Sequence, residues 1–156
     1  MGLQAYQNNL LKDIGRIHTV EEFIENYLLA RGLGFNNINI DLMFSLPNQT
    51  LKDWMDTLKH VAILNPEHIS CYSLTIEEDT PFGRWEAEGR IKINDVETDR
   101  TMYHYAIWYL NKMGYKQYEI SNFSKIGFSS QHNLVYWTYK PYIGMGLGAH
   151  SFYNGE

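Results

Sequence analysis

The stretch Gln131–Trp137, QHNLVYW, combines residue types that could hold a planar ligand. His132 stands beside an amide, and two aliphatic residues lead to the aromatic pair Tyr136 and Trp137. Two structures are compatible with this run: a buried strand with a polar neighbour, or one wall of a site for a flat aromatic ligand. The residues themselves leave that choice open.

A second candidate site lies around Asp41, in the run NNINIDLMFSLP. Alternate side chains of the predicted strand point to opposite faces, so an apolar face opposes a polar face that carries Asn39 and Asp41. A polar face is expected where strands surround a functional lumen, and sites in barrel-like α/β folds gather at the carboxyl ends of strands, where Asp41 is expected. The alternative is a lone aspartate paired with a structural Arg or Lys.

The run YKQYEISNF repeats this pattern around Glu119. Gln117, Glu119 and Ser121 share one face of the predicted strand, and Tyr118 and Ile120 share the other. Glu119 is therefore predicted to point inward, as Asp41 does. The spacing of the two carboxylates leaves open whether they bind a cation, a ribose or an amine.

Three glycines alternate in YIGMGLGAHS, namely Gly144, Gly146 and Gly148. The dinucleotide-binding motif GxGxxG needs a third glycine three residues after the second, whereas Gly148 comes two residues after Gly146. No helix follows the run convincingly, so dinucleotide binding is not predicted. We expect instead that the glycines let another backbone or a ligand approach closely. The six histidines lack the spacing of a zinc site.

The elements that must position these residues are three helices and the strands between them. Thr19 and Glu22 form a capping box, Thr50 caps a second helix, and Asp95 starts a third, which ends at Gly114. Helices that alternate with strands predict parallel βαβ units. No strand is predicted before the first helix, so the chain resembles the second half of something larger.

Composition excludes several classes of protein. The chain has 156 residues, which suits one domain, and 44% hydrophobic with 20% charged residues indicates a globular fold. The net charge of −5 and the absence of a Lys/Arg cluster argue against a nucleic-acid partner. Cys71, the single cysteine, excludes an internal disulfide framework and fits a reducing compartment. With neither a secretory signal nor a long apolar run, we predict a cytoplasmic protein.

Taken in order, seven motifs resemble the radical S-adenosylmethionine proteins related to oxygen-independent coproporphyrinogen III oxidase. They are GLQ, GRIH, INIDLMFSLPNQT, ISCYSLTIEEDTPF, YEISNF, HNLVYW and GMGLGAHS, and they run from Gly2 to Ser151. The resemblance implies an α/β fold, the second half of an incomplete TIM-like barrel with parallel strands alternating with helices, over residues 1–121. Residues 122–156 are expected to form an extended closing segment that carries the HNxxYW motif.

The resemblance also implies a site for S-adenosylmethionine. Gln4, Arg16 and Asp41 occupy positions that match the family's cofactor pocket, and Thr75 matches a further position that touches the cofactor. A guanidinium fork suits the methionyl carboxylate, and a carboxylate suits ribose hydroxyls or the amino group.

The motif HNLVYW indicates the HemW-type heme-chaperone branch rather than the oxidases. The resemblance makes His132 a candidate axial ligand of heme iron, with Tyr136 and Trp137 as aromatic walls. The alternative is a polar strand cap in which His132 pairs with Asn133 or a carbonyl. Two other functions remain: a coproporphyrinogen III oxidase that decarboxylates propionates, or a stand-alone tetrapyrrole-binding module.

The family's CxxxCxxC motif, which holds a [4Fe–4S] cluster, does not occur in this sequence. Cys71 is alone and one thiolate does not hold a cluster, so we expect the chain to be the C-terminal part of a longer parent that binds the cluster and S-adenosylmethionine. By this reading the chain carries no catalytic residue, and whether the parent is an enzyme stays open. We expect S-adenosylmethionine and heme or a porphyrinogen as ligands, and self-association through an exposed barrel edge.

Overall fold

The computed structural model describes residues 1–154, which form a mixed α/β structure. The strands are β1 (Gly2–Gln4), β2 (Asn39–Phe44), β3 (His68–Ser73), β4 (Lys116–Gln117) and β5 (Asn122–Ser124). The helices are α1 (Asn8–Asp13), α2 (Val20–Gly32), α3 (Leu51–Leu64), α4 (Pro81–Ala87), α5 (Val96–Lys112) and α6 (Gln131–Trp137). Within residues 1–154, no helix has the length and apolar character needed to cross a membrane.

The five strands form one sheet in the order β1-β2-β3-β5-β4. β1, β2 and β3 pair in parallel, with helices as crossovers between them, as the alternation of elements predicted. The other two strands differ, because β5 runs antiparallel to β3 and β4 runs antiparallel to β5. β1 was not predicted, because the sequence indicated no strand before the first helix.

The long helices begin where the capping residues predicted. The Thr19 hydroxyl accepts from the Glu22 backbone N–H at 3.2 Å, and the Glu22 carboxylate accepts from the Thr19 N–H at 2.8 Å. Thr50 and Asp53 form the same reciprocal pair at the start of α3. Each pair satisfies two donors that a helix start leaves without partners, so the sequence prediction is confirmed at both positions.

The core lies between the apolar face of the sheet and helices α2, α3 and α5. Burial alternates along β2: Ile40, Leu42 and Phe44 are buried, whereas the residues between them are partly exposed. Trp54 of α3 is fully buried against Phe44 and donates its indole N–H to the Met102 carbonyl at 2.8 Å. This packing fixes the register of the sheet, because a shift by one residue would turn the polar face into the core.

The part after β5 does not follow the extended conformation predicted for residues 122–156. Residues 131–137 form helix α6, which begins at Ser130, whose hydroxyl accepts from the Asn133 N–H at 3.3 Å. The strand interpretation of QHNLVYW is therefore wrong, because a serine cap directly before the run favours a helix start. The boundary between the barrel part and the closing segment, expected after residue 121, falls between β4 and β5, which pair in one sheet. Residues 155 and 156 of the predicted segment lie outside the described part.

Candidate functional site

A cavity of about 610 Å³ opens on the polar face of the sheet. Neighbouring residues of β2 and β3 form one side of it, where Asn39 pairs with His68 and Asp41 with Ser70. Residues from the loop before α6 and from its first turn close the other side. The lining is mostly polar: Asn37, Asn39, Asp41, His68, Ser70, Tyr72, Gly127, Phe128, Ser129, Ser130, Gln131 and Asn133.

A chain of hydrogen bonds starts at Asp41, on the inner face that the sequence predicted. Asn39 Nδ2 donates to Asp41 Oδ1 at 2.7 Å, and Asn39 Oδ1 lies 2.7 Å from Nδ1 of the buried His68. Ser70 donates to Asn122 Oδ1 at 2.6 Å on the same face. Asp41 is the third residue of β2, so it lies nearer the amino end of the strand than the carboxyl end that was expected.

His68 is a functional candidate that sequence reasoning did not single out. Burial lowers the pKa of His68, and the nearby carboxylates of Asp41 and Glu119 oppose that shift without reversing it. The imidazole is therefore neutral at pH 7. A carboxylate only accepts, so Asn39 turns its amide donor to Asp41 and its oxygen to His68, and the proton of His68 lies on Nδ1. The polar alternation of HISCYS was the available signal.

Tyr118, rather than Gln117, contacts the residues that line the cavity. Its hydroxyl lies 2.7 Å from His68 Nε2, whereas Gln117 donates to the Tyr103 hydroxyl on the helix-covered side at 2.9 Å. The predicted continuous strand is interrupted by a turn between β4 and β5. Glu119 lies in the turn and accepts from the Ser121 N–H at 2.9 Å.

The four residues predicted for S-adenosylmethionine do not share one cavity. Asp41 lines the polar cavity, whereas Arg16 is exposed and lines a separate depression with Met43 and Leu74 among its neighbours. Gln4 ends β1 and is buried, with a φ of +71°. Thr75 is exposed just after β3. Arg16 thus lies beside two residues that adjoin the predicted set. Met43 is on the same face of β2 as Asp41, and Leu74 directly precedes Thr75 in the sequence.

The motif helix α6 presents His132 and Tyr136 on one exposed side. Nε2 of His132 and the Tyr136 hydroxyl form a hydrogen bond of 2.9 Å, with the two rings edge to face. Tyr142, which the sequence did not suggest, packs against Tyr136 with ring centroids 4.6 Å apart. Trp137 is half exposed but points away from Tyr136, since successive helical residues are turned by about 100°.

The glycine run forms turns rather than a strand. At Gly144, an added Cβ would collide with the backbone carbonyl of His150, so the expected close approach of another backbone occurs there. Gly146 and Gly148 have φ values of +106° and +76°, in the region where other residues are strained. Tyr142 and Phe152 pair across this turn through two backbone hydrogen bonds.

Cys71 does not fit an iron–sulfur cluster. Its side chain is buried on the apolar face of β3, opposite the polar cavity, and burial raises the pKa of its thiol. A buried thiol held neutral is a poor thiolate ligand. The part of the chain that the structure describes therefore offers no ligand set for the cluster.

Comparison with curated proteins matches almost the whole chain to heme chaperones. The HemW heme chaperone of Bacillus subtilis is 40% identical over 154 residues, 99% of this chain and 41% of the relative. The one of Escherichia coli is 39% identical over 150 residues, 96% of this chain and 39% of the relative. A mitochondrial radical S-adenosyl methionine domain-containing protein of Danio rerio is 34% identical over 150 residues. The chain spans about two fifths of the length of these bacterial relatives, and no family model matches it.

Among solved structures, coproporphyrinogen III oxidase (HemN) from Escherichia coli, a radical SAM enzyme, matches with a TM-score of 0.76 and 24% identity. The match covers 97% of this chain and 38% of that one, so the α/β fold corresponds to part of that enzyme's TIM-like barrel. The Elp3 protein of Methanocaldococcus infernus matches 68% of the chain with a TM-score of 0.60. The identities in sequence and the likeness in fold agree, and the chain is homologous to part of the HemW heme chaperones of the radical S-adenosylmethionine family.

Proposed function

We propose that the chain is part of a heme chaperone and that α6 carries its heme-binding surface. The supporting observation is the row His132–Tyr136–Tyr142, in which the exposed Tyr136 ring packs edge to face against the exposed His132 imidazole and against the partly exposed Tyr142. The relatives that match across the HNLVYW motif are named heme chaperones, whereas the likeness to the oxidase is one of fold. We therefore favour a chaperone over an oxidase or a stand-alone tetrapyrrole-binding module.

The donor set on α6 fits heme. Bound heme would supply an iron centre that accepts a lone pair from an imidazole nitrogen, and His132 is exposed and offers one. The hydrogen bond to Tyr136 is also exposed, so giving it up to a ligand has a small cost. Tyr136 and Tyr142 offer faces and edges for packing a porphyrin, whereas Trp137, the last residue of α6, is turned away from Tyr136 and does not extend this surface.

We also propose that Asp41, Gln4, Arg16 and Thr75 belong to an S-adenosylmethionine pocket. Arg16 is exposed and offers a guanidinium that could pair with a carboxylate, and Asp41 offers acceptors for ribose hydroxyls or an amino group. In this proposal the cluster ligands belong to the part of the relatives that the chain does not span. A cytoplasmic location and a parent with radical chemistry are parts of the same proposal.

Heme titration followed by absorbance tests the function. We expect the chain to shift the Soret band of added heme, and His132→Ala to abolish the shift while the circular dichroism spectrum is kept. His150→Ala is the matched control, because His150 is another exposed histidine near the C-terminus and is not part of the cluster. Equal shifts in the wild type and His132→Ala would contradict the proposal. Equal affinity for heme and metal-free porphyrin would show that the aromatic rings, and not the histidine, hold the ring.

We further propose self-association through β1. β1 pairs with β2 only and is the first strand in the order of the sheet, so it is the edge at which a second copy would add a strand. Light scattering over a concentration series should show a rising average mass. A constant monomer mass at the highest concentration would argue against this pairing.

A further inference from the structure

The first turn of α6 is attached to the polar face of the sheet by the Tyr118 hydroxyl. The Ser130 backbone N–H points to this oxygen at 3.2 Å and Asn133 Nδ2 at 3.4 Å, while the hydroxyl itself lies 2.7 Å from His68 Nε2. Ser130 is the cap of α6 and Asn133 lies in its first turn. One side-chain oxygen thus joins the motif helix to β3.

The donors and acceptors in this series of hydrogen bonds all fit one placement of the protons. With its proton on Nδ1, His68 donates to Asn39 and leaves Nε2 to accept from the Tyr118 hydroxyl. The Tyr118 oxygen then accepts from Ser130 and Asn133. Burial raises the pKa of Tyr118, which keeps the hydroxyl a neutral donor. The hydrogen-bonded series Asp41–Asn39–His68–Tyr118–Asn133 therefore runs unbroken from the candidate cofactor pocket to the motif helix.

We infer that Asn133 and Tyr118 are positioning residues for the heme surface, and that the polar series from Asp41 sets where His132 and Tyr136 stand. The two neighbouring residues His132 and Asn133 have different roles in this inference. His132 faces outward with its imidazole exposed, and Asn133 faces inward to the sheet. This inference rests on the proposed heme function and adds to it the residues that orient the ligand.

The physical reason for such an arrangement is that α6 has no buried side chain. A helix of seven residues is not stable by itself, and here burial contributes little to holding it. Its orientation must come from directional contacts, and those to Tyr118 join its first turn to the sheet. Losing the hydroxyl leaves two donors of α6 and one nitrogen of His68 without this partner.

The test uses Tyr118→Phe, which removes only the hydroxyl, with Tyr103→Phe as the control. The Tyr103 hydroxyl bonds to Ile120 and Gln117 on the other side of the same turn. We expect Tyr118→Phe to weaken heme binding about tenfold, the equivalent of about 1.4 kcal/mol, and Tyr103→Phe to leave it unchanged. Asn133→Ala should have a similar effect, and the double variant Tyr118→Phe/Asn133→Ala should lose less than the sum of both.

Two NMR measurements without heme separate this inference from the proposed function. Removing the Tyr118 donor disfavours neutral imidazole, so the pKa of His68 should rise in Tyr118→Phe and stay unchanged in Tyr103→Phe. The amide resonances of Ser130 and of the residues of α6 should shift only in Tyr118→Phe. If heme does not bind through His132 but these shifts occur, the heme function fails and the attachment stands. Identical His68 titration and α6 resonances in both variants would overturn the inference.

Discussion

The sheet region (residues 1–124) and the closing region (residues 125–154) are held in place by different forces. The sheet region contains every buried side chain of the described structure, among them Trp54, Tyr27 and Tyr115. From residue 125 to residue 154, each described residue keeps part of its surface exposed. The closing region is positioned instead by hydrogen bonds, by turns at glycines and by exposed aromatic pairs.

This difference shows how the two candidate sites are built. Asp41 and His68 stand on strands whose opposite face is packed into the core, so their positions follow from the fold of the sheet region. His132 and Tyr136 stand on a helix without a packed face, so their positions depend on a few polar contacts. A substitution in the core should therefore change stability, whereas one in the closing region should change the site first.

Trp54→Ala should have the largest effect on stability. The indole is fully buried against Phe44 and donates a hydrogen bond to Met102, so its removal leaves a cavity and loses that hydrogen bond. We expect the free energy of unfolding to fall by about 3–5 kcal/mol, measured by urea denaturation. A loss below about 1 kcal/mol would mean that the core is not the main source of stability.

Glu67→Gln should have an intermediate effect that depends on pH. Burial alone would raise the pKa of Glu67, but hydrogen bonds from Arg31, at 2.8 Å, and from the Ile38 N–H, at 3.0 Å, outweigh burial and lower it. A lowered pKa means that this carboxylate stabilises the fold above its ordinary pKa of 4.5 and loses that contribution as the pH falls through the lowered pKa.

At pH 7 we expect Glu67→Gln to lose about 2 kcal/mol of unfolding free energy, and at pH 3 the difference from the wild type should shrink. Glu88→Gln is the matched control. Glu88 and Arg90 also form an ion pair, at 3.3 Å, but both side chains are more than half exposed. Water screens such a pair, so no measurable change is expected at either pH. A constant difference for Glu67→Gln between pH 7 and pH 3 would contradict the assigned pKa direction.

Trp137→Ala should have the smallest effect on stability. The side chain is half exposed and lies in the closing region, so we expect a change of less than about 0.5 kcal/mol in the free energy of unfolding. Measured beside Trp54→Ala under the same conditions, it compares one residue type in the two regions. Equal losses from the two tryptophans would mean that the closing region packs as tightly as the sheet region.

Local patterns in the sequence were sufficient for the elements that depend on neighbouring residues. The capping pairs Thr19–Glu22 and Thr50–Asp53 act over three residues, and the alternation around Asp41 follows from strand geometry. The predicted inward face of β2 was confirmed for this reason. The same alternation was wrong for Gln117 and Tyr118, because the Tyr118 side chain, and not that of Gln117, reaches His68, and a turn between β4 and β5 interrupts the predicted strand.

By itself, the sequence determined the starts of the long helices, the apolar and polar faces of β2, and the presence of a histidine with two aromatic residues in one short motif. Tertiary structure decided what no local pattern contains: that His68 and Tyr118, fifty residues apart, share a hydrogen bond, and that Tyr142 packs against Tyr136. It also decided that the motif is a helix facing two ways, with Asn133 toward the sheet and His132 toward solvent. The physical reason is that capping and alternation are satisfied by nearby residues, whereas the partner of an inward polar group is set by how distant strands pair.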